Sequence, residues 1–356
     1  MEKAKVKRPI TLLRHISQIT FFIFIVFGAL FGLKKQHLSL LPFIEAPKEY
    51  GEYKSQLRQE GRNIAIVGPG YPQAFDTFLP IKSCRFLRQT GTFRACFMHF
   101  LSECIGWATP LRLVLPHVLL FVILAVPFGR LWCGWVCPLG FIQDTLNTMR
   151  KTLGLNPHSL SDRIKKSFRG ISYGLFVSII LLSVISAVAA FPWTLRKQVY
   201  LSICQMCPSR FIFPYLGGWP IVHSFIPFGY GVFTTLSTIF TIFLGMSFFI
   251  KRTWCRICPS GLLLSVFNRG GLLNKEKDIL KCTRCGICLA VCPLQNENVY
   301  LEKSHIKKNR MMELKRDRNI DHKACIHCFR CIDFCPEEGC LKVKFLHIKI
   351  FSSRPH

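Results

Sequence analysis

The stretch CTRCGICLAVCP, Cys282–Pro293, spaces four cysteines by two, two and three residues and closes on a proline. The same spacing returns in CIHCFRCIDFCP, Cys325–Pro336. Three thiolates on one tight loop can wrap three irons of a single cubane, while a fourth, carried off by a short helical turn, reaches a second cubane. The paired runs therefore predict two 4Fe-4S clusters. One takes Cys282, Cys285, Cys288 and Cys335; the other takes Cys325, Cys328, Cys331 and Cys292. Pro293 and Pro336 stop each turn. Zinc sites pair two short knuckles instead, and a reducing compartment disfavours disulfides. Residues 271–345 are expected to form a small α+β unit around the clusters, followed by a tail at 346–356. Cys340 has no required role and is expected as a buried thiol.

The chain ahead of these runs is apolar. Ile16–Leu33, Leu113–Gly129, Ile171–Leu195 and Phe211–Ile250 contain no Asp, Glu, Lys or Arg. A membrane helix needs roughly 20 mostly apolar residues, and a soluble helix of that length would show a polar stripe. An all-α polytopic membrane domain of about four helices is the expectation. Pro214, Gly217, Gly218, Pro220, Pro227 and Gly229 break the last run. Its first half reads as an interfacial or re-entrant piece and Tyr230–Ile250 as the helix, with an extra membrane hairpin as the alternative. The resulting order is an N-terminus and first span at 1–33, an outer cysteine-containing loop at 34–110, and three further spans within 111–270. The first span lacks an A-x-A site, as an uncleaved anchor would.

The formal charge is +28. It concentrates before the first span, after the second and beyond residue 250, which the positive-inside rule places together in the cytoplasm. We read it as a solvated surface near the membrane and not as a nucleic-acid face. Lys303–Arg318 could dock an acidic partner or lipid headgroups.

Two further cysteine pairs follow apolar runs, in RLWCGWVCPLG (Arg130–Gly140) and RTWCRICPSG (Arg252–Gly261). The repetition points to a duplicated unit of helix plus cysteine turn. Cys133, Cys137, Cys255 and Cys258 could hold a third cluster or metal; redox dithiols and inert packing are the alternatives. The Arg and Trp before each pair read as interfacial anchors. Cys84, Cys96, Cys104, Cys204 and Cys207 precede spans and are expected outside, as disulfides or as an outer metal or iron–sulfur site using Cys204, Cys207 and two others. His117 and His223 are isolated, so haem is not expected. VGPGYP near Val67 reads as a turn.

Membrane spans bearing C-x3-C-P turns ahead of a two-cluster ferredoxin resemble the NapH-type family of membrane polyferredoxins. The likeness runs from about Leu111 to Cys340 and rests most specifically on the two ferredoxin motifs. That family includes the quinol-oxidising membrane component associated with periplasmic nitrate reductase. The chain is also similar to the membrane ferredoxin half of NosR and to CcoG-type assembly proteins. The resemblance implies that Cys133, Cys137, Cys255 and Cys258 are functional. It implies an inner-membrane protein with its ferredoxin unit and C-terminus in the cytoplasm. Electrons would pass between the quinone pool or a cytosolic donor and a redox partner at the membrane. An assembly factor that reduces a metal or disulfide for a respiratory metalloenzyme is the alternative. In departure from the family pattern, the second turn has only two residues between its cysteines. Neither a flavin-bearing outer domain of the NosR kind nor a terminal β-domain of the CcoG kind is expected.

Overall fold

The computed structural model describes residues 9–32, 52–53, 56, 79–84, 87, 90–93, 96–217, 231–268, 271–300, 317–320 and 322–354. His223, the VGPGYP turn, most of Lys303–Arg318 and the centre of the broken run lie outside them. The helices are α1 (Pro9–Phe27), α2 (Phe97–Gly106), α3 (Leu111–Phe128), α4 (Leu131–Trp135), α5 (Pro138–Thr152) and α6 (Asp162–Ala187). They continue with α7 (Trp193–Val199), α8 (Ser202–Met206), α9 (Ser209–Leu216), α10 (Gly231–Gly245), α11 (Trp254–Ile257) and α12 (Pro259–Ser265).

Among the described residues α1 with its 3-10 extension, α3 and α6 are long and apolar enough to cross a membrane. The expected fourth span is shorter there, as α10 and a 3-10 turn ending at Phe248. Leu115, Leu119 and Ile123 recur at i, i+4 on α3 and stay exposed, an apolar stripe facing outward where a soluble helix would be polar. Gly129 ends α3 at φ +47°, and a Cβ there would meet Asn268 Oδ1 at 2.4 Å. Only glycine fits that turn.

The segments ahead of α3 and α10 enter the bundle. Phe97 stacks on Phe121 at 3.7 Å and Phe100 meets His117 edge-on at 4.8 Å, so α2 runs antiparallel along α3. Ser237, inside α10, donates to the Cys207 carbonyl at 3.1 Å, which fixes the α8–α9 connection beside that helix.

The C-terminal unit is a four-stranded antiparallel sheet, β1 (Leu273–Asp278), β2 (Asp317–Asn319), β3 (Leu341–Phe345) and β4 (Ile348–Ser352), in the order β2-β1-β3-β4. Leu273 pairs with Phe345 and Lys277 with Leu341. The segment read as a tail is β4, joined to β3 across a bulge at Val343/Lys344. Leu273, Leu341 and Val343 form a core with Phe329 and Ile332, against which Ile10, Leu131 and Trp135 of the membrane domain pack. Asp333 accepts from the Thr11 N–H at 2.9 Å and from its hydroxyl, and so caps the first turn of α1 from the other domain.

The charge is not all solvated. Asp144 of α5 is buried between Arg14 and Arg252, with Arg252 Nε at 2.9 Å and Gln18 Nε2 at 2.9 Å. Burial alone would raise its carboxyl, but Arg14 and Arg252 hold it well below the usual carboxylate range. Asp144→Ala should therefore cost about 3–5 kcal/mol, because two guanidinium groups lose their shared acceptor in a dry site. The depressed carboxyl stabilises the fold fully above its unfolded value of about 3.9 and loses that contribution as pH falls toward the folded value. Thermal unfolding in detergent should show the gap between wild type and Asp144→Ala closing below about pH 4.

Candidate metal centres

Each ferredoxin loop bends through left-handed residues at matching positions, Arg284 (φ +59°) and Gly286 (φ +75°) in one, His327 (φ +45°) and Phe329 (φ +54°) in the other. A short helix follows each loop, α13 (Ile287–Ala290) or α14 (Arg330–Asp333), and carries the fourth cysteine away. The motifs interleave. Cys282, Cys285 and Cys288 line a cavity of about 320 Å³ together with Cys335 of the second run. Burial and the neighbouring Cys328 and Cys325 push Cys292 of the first run up to about 11. Burial, Cys328, Cys325 and Cys292 push Cys331 well up too. Crowded, dry thiols of this kind resist ionising together unless a metal takes up their charge. The donor set and the crossed pairing fit two cubanes.

The Cys-Pro turns build a third enclosure. Cys133, Cys137, Cys255 and Cys258 line one cavity of about 580 Å³ with Trp132, Trp254, Arg130 and Lys82. Cys137 and Cys258 each cap a helix whose next residue is proline, α5 or α12, the position where a missing N–H costs nothing. Burial raises Cys137, against the opposing Gly140 N–H; burial would also raise Cys258, but Lys82 and the Gly261 and Ser260 N–H groups bring it down. Burial pushes Cys133 up to about 11. Arg130 of the first turn donates to the Cys255 carbonyl of the second at 2.8 Å, and Arg252 of the second to the Cys133 carbonyl of the first at 2.9 Å. These arginines are buried cross-straps, not interfacial anchors. The shorter second turn still delivers both of its cysteines.

This enclosure abuts the second ferredoxin loop. Cys255, Leu294, Ile326 and Cys328 form one buried cluster with Cys133 against it. Trp135 Nε1 donates to the His327 carbonyl at 2.9 Å, and Asn268 Nδ2 to that of Cys325 at 2.6 Å. A Cβ on Gly134 would meet the Ile326 carbonyl at 2.3 Å, so this contact requires glycine.

Comparisons with known proteins agree with this division. A family described as a 4Fe-4S binding domain matches twice, at residues 112–156 and 232–278, and a 4Fe-4S dicluster domain matches residues 274–336. The ferredoxin-type protein NapH of Haemophilus influenzae is 30% identical over 60% of this chain and 62% of its own length. The chain is thus similar to the ferredoxin-type NapH proteins. An uncharacterized protein of Methanocaldococcus jannaschii is 26% identical over 70% of this chain and 86% of its own. The methylamine utilization ferredoxin-type protein MauN of Paracoccus denitrificans is 25% identical over 54% and 58%. No solved structure matches. The double match of one family falls on the two halves that carry the Cys-Pro turns, the duplication that the repeated sequence announces.

The remaining cysteines lie elsewhere in the structure. None of the eighteen is joined in a disulfide. Cys84, Cys96, Cys204 and Cys207 line a further cavity, while Cys104 sits in the apolar core beside Leu113 and Val114. Cys340 is buried and lines the first ferredoxin cavity beside Cys335, its thiol donating to the Asp278 carbonyl at 3.6 Å. Strand β1 turns two lysines inward. Lys275 Nζ lies 2.9 Å from Cys325 Sγ, and Lys277 lines the first cavity while donating to the Val299 carbonyl at 2.9 Å. The sequence signal was present in the alternation Leu273, Lys275, Lys277, which is a buried strand face with cations in it. Positive charge favours a reduced cluster. Lys275→Met and Lys277→Met should each lower the midpoint of a different signal in redox-titrated EPR, with iron content unchanged.

Proposed function

We propose that this chain is a membrane-anchored electron-transfer protein, relaying electrons between the quinone pool or a cytosolic donor and a redox partner at the membrane. It would hold three 4Fe-4S clusters, on Cys282/Cys285/Cys288/Cys335, on Cys325/Cys328/Cys331/Cys292 and on Cys133/Cys137/Cys255/Cys258. A bound cubane supplies one-electron chemistry. The observation that carries this reading is the seating of the second ferredoxin loop on the Cys-Pro enclosure, with Cys328 and Cys255 in one buried cluster and Cys133 packed against it. Cys285, at the other end, is exposed and offers a soluble partner an approach. An open crevice beside Cys255 and Cys258, lined by Tyr173, Arg169, Arg256 and His322, gives a membrane carrier an approach. The ferredoxin unit packs on the first turn of α1, next to the basic N-terminus, which favours a cytoplasmic position.

A working dithiol would need a reachable thiol with a lowered pKa and a reachable partner. Cys258 is brought down, but its partner in the turn, Cys255, is buried, and burial raises Cys133 and Cys137. The deciding experiment is anaerobic iron and sulfide analysis with redox-titrated EPR on wild type and on Cys133→Ser, Cys255→Ser. The variant should lose about four irons per chain and one EPR signal. Unchanged iron with altered thiol labelling would overturn the third cluster in favour of the dithiol. A terminal tag that reports the C-terminus outside the cell would overturn the cytoplasmic orientation.

A further inference from the structure

We propose that Cys84, Cys96, Cys204 and Cys207 hold an additional iron–sulfur cluster inside the helical bundle, beside the Cys-Pro enclosure. These four line a cavity of about 320 Å³ with Lys82, His99, Ser209 and Arg210. Two come from the segment before α3 and two from the segment before α10. Each half of the duplicated chain therefore contributes two cysteines here, as each half does to the Cys-Pro enclosure. The sequences say the same: CQMCPS at Cys204–Ser209 repeats the C-x2-C-P-S pattern of CRICPS at Cys255–Ser260.

The location is not a wet outer loop. Cys96 directly precedes Phe97, which stacks on Phe121 within the α3 span, and the Cys207 carbonyl is bonded by Ser237 within α10. Cys84, Cys96 and Cys207 are buried. His99 Nδ1 lies 3.2 Å from Cys204 Sγ, Cys207 Sγ is 3.2 Å from Ser209 Oγ, and Cys84 Sγ is 3.7 Å from the Ser209 carbonyl. Between the two cavities sits Lys82, 5% exposed, which lines both, as Cys96 does. Its ammonium meets Cys258 Sγ at 3.7 Å and Ser260 Oγ at 3.3 Å. No Asp or Glu lines either cavity among the described residues. A lysine buried this deeply in protein needs a counter-charge. Sulfur is the available anion, and thiolates on iron supply it on both sides of Lys82.

A single ion fits less well. Among the described residues no three Cys, His, Asp or Glu side chains close around one ion, and this holds equally for the ferredoxin cysteines. In this the four cysteines match the ferredoxin sets. A line of centres running from the ferredoxin unit into the bundle follows, a consequence that rests on the relay function proposed above.

The test uses the full chain, purified anaerobically in detergent, as wild type, Cys204→Ser, Cys207→Ser, and Cys133→Ser, Cys255→Ser. Wild type should carry about sixteen irons with matching sulfide, and each double variant should lose about four of them. The ferredoxin EPR signals, retained in the variants, report that the protein has folded. Should the Cys204→Ser, Cys207→Ser protein keep the wild-type iron, the proposal fails, whatever the other variant shows. Loss of one iron or zinc without sulfide would mean a single ion and also overturns it. Alkylation with mass mapping covers a variant that does not assemble. In wild type Cys204 and Cys207 should resist iodoacetamide until iron is stripped, whereas prior labelling or a disulfide at either residue defeats the proposal.

Discussion

Cations buried against sulfur and against one carboxylate organise this molecule. A charged side chain in an apolar interior is tolerable only when something nearby repays its lost hydration. Arg252 is 1% exposed, yet it spans from Asp144 to the Cys133 carbonyl, tying α5 and the first cysteine turn to the second. Arg14 brings α1 to the same carboxylate, and its Nε reaches the Gly134 carbonyl at 3.0 Å. Gly134 in turn is the point on which the ferredoxin loop rests. One acid thus fixes three helical segments and, through them, the seat of the second ferredoxin loop.

The ferredoxin spacing was legible because a cubane demands it. The crossed set Cys282, Cys285, Cys288 and Cys335 lines one cavity. The Cys-Pro turns were legible as a repeat, and the structure brings all four of their cysteines to one cavity. The roles of Arg130 and Arg252 were not. An arginine at the end of a span looks like an anchor from local sequence, and only the pairing of the two halves turns it inward. The same applies to Lys275 and Lys277, which read as surface charge until a strand period places them opposite the cysteines. β4 was read as a tail because Ile348–Ser352 is short and follows the last cysteine. Its partner strand supplies what its own length does not.

The segments before α3 and α10 were the least legible. Window hydropathy separates spans from loops, and a ten-residue helix such as α2 is too short to register as a span. Depth comes instead from pairing, through Phe97 on Phe121 and Phe100 on His117. Backbone that enters a bundle is tolerated when protein satisfies it. Ser83 Oγ donates to the Phe93 carbonyl at 2.7 Å, and Thr92 Oγ1 to the Phe24 carbonyl at 2.5 Å, and such bonds hold the first of these segments in place.

Duplication explains why two cysteine enclosures lie so close together. If one unit consists of an entering segment with two cysteines, a span, and a Cys-Pro turn with two more, then pairing two units about an approximate two-fold axis creates two four-cysteine sets. The reciprocal bonds, Arg130 to Cys255 and Arg252 to Cys133, are what such a pairing would produce. The glycines obey it as well. A Cβ on Gly140 would meet Arg252 Nη2 at 3.4 Å, and one on Gly261 would meet Arg130 Nη2 at 3.0 Å. Each Cys-Pro-x-Gly therefore does two jobs, starting a helix and leaving room for a strap. Lys82 breaks the symmetry. One lysine lines both cavities, while Arg130 lines only the first and Arg210 only the second.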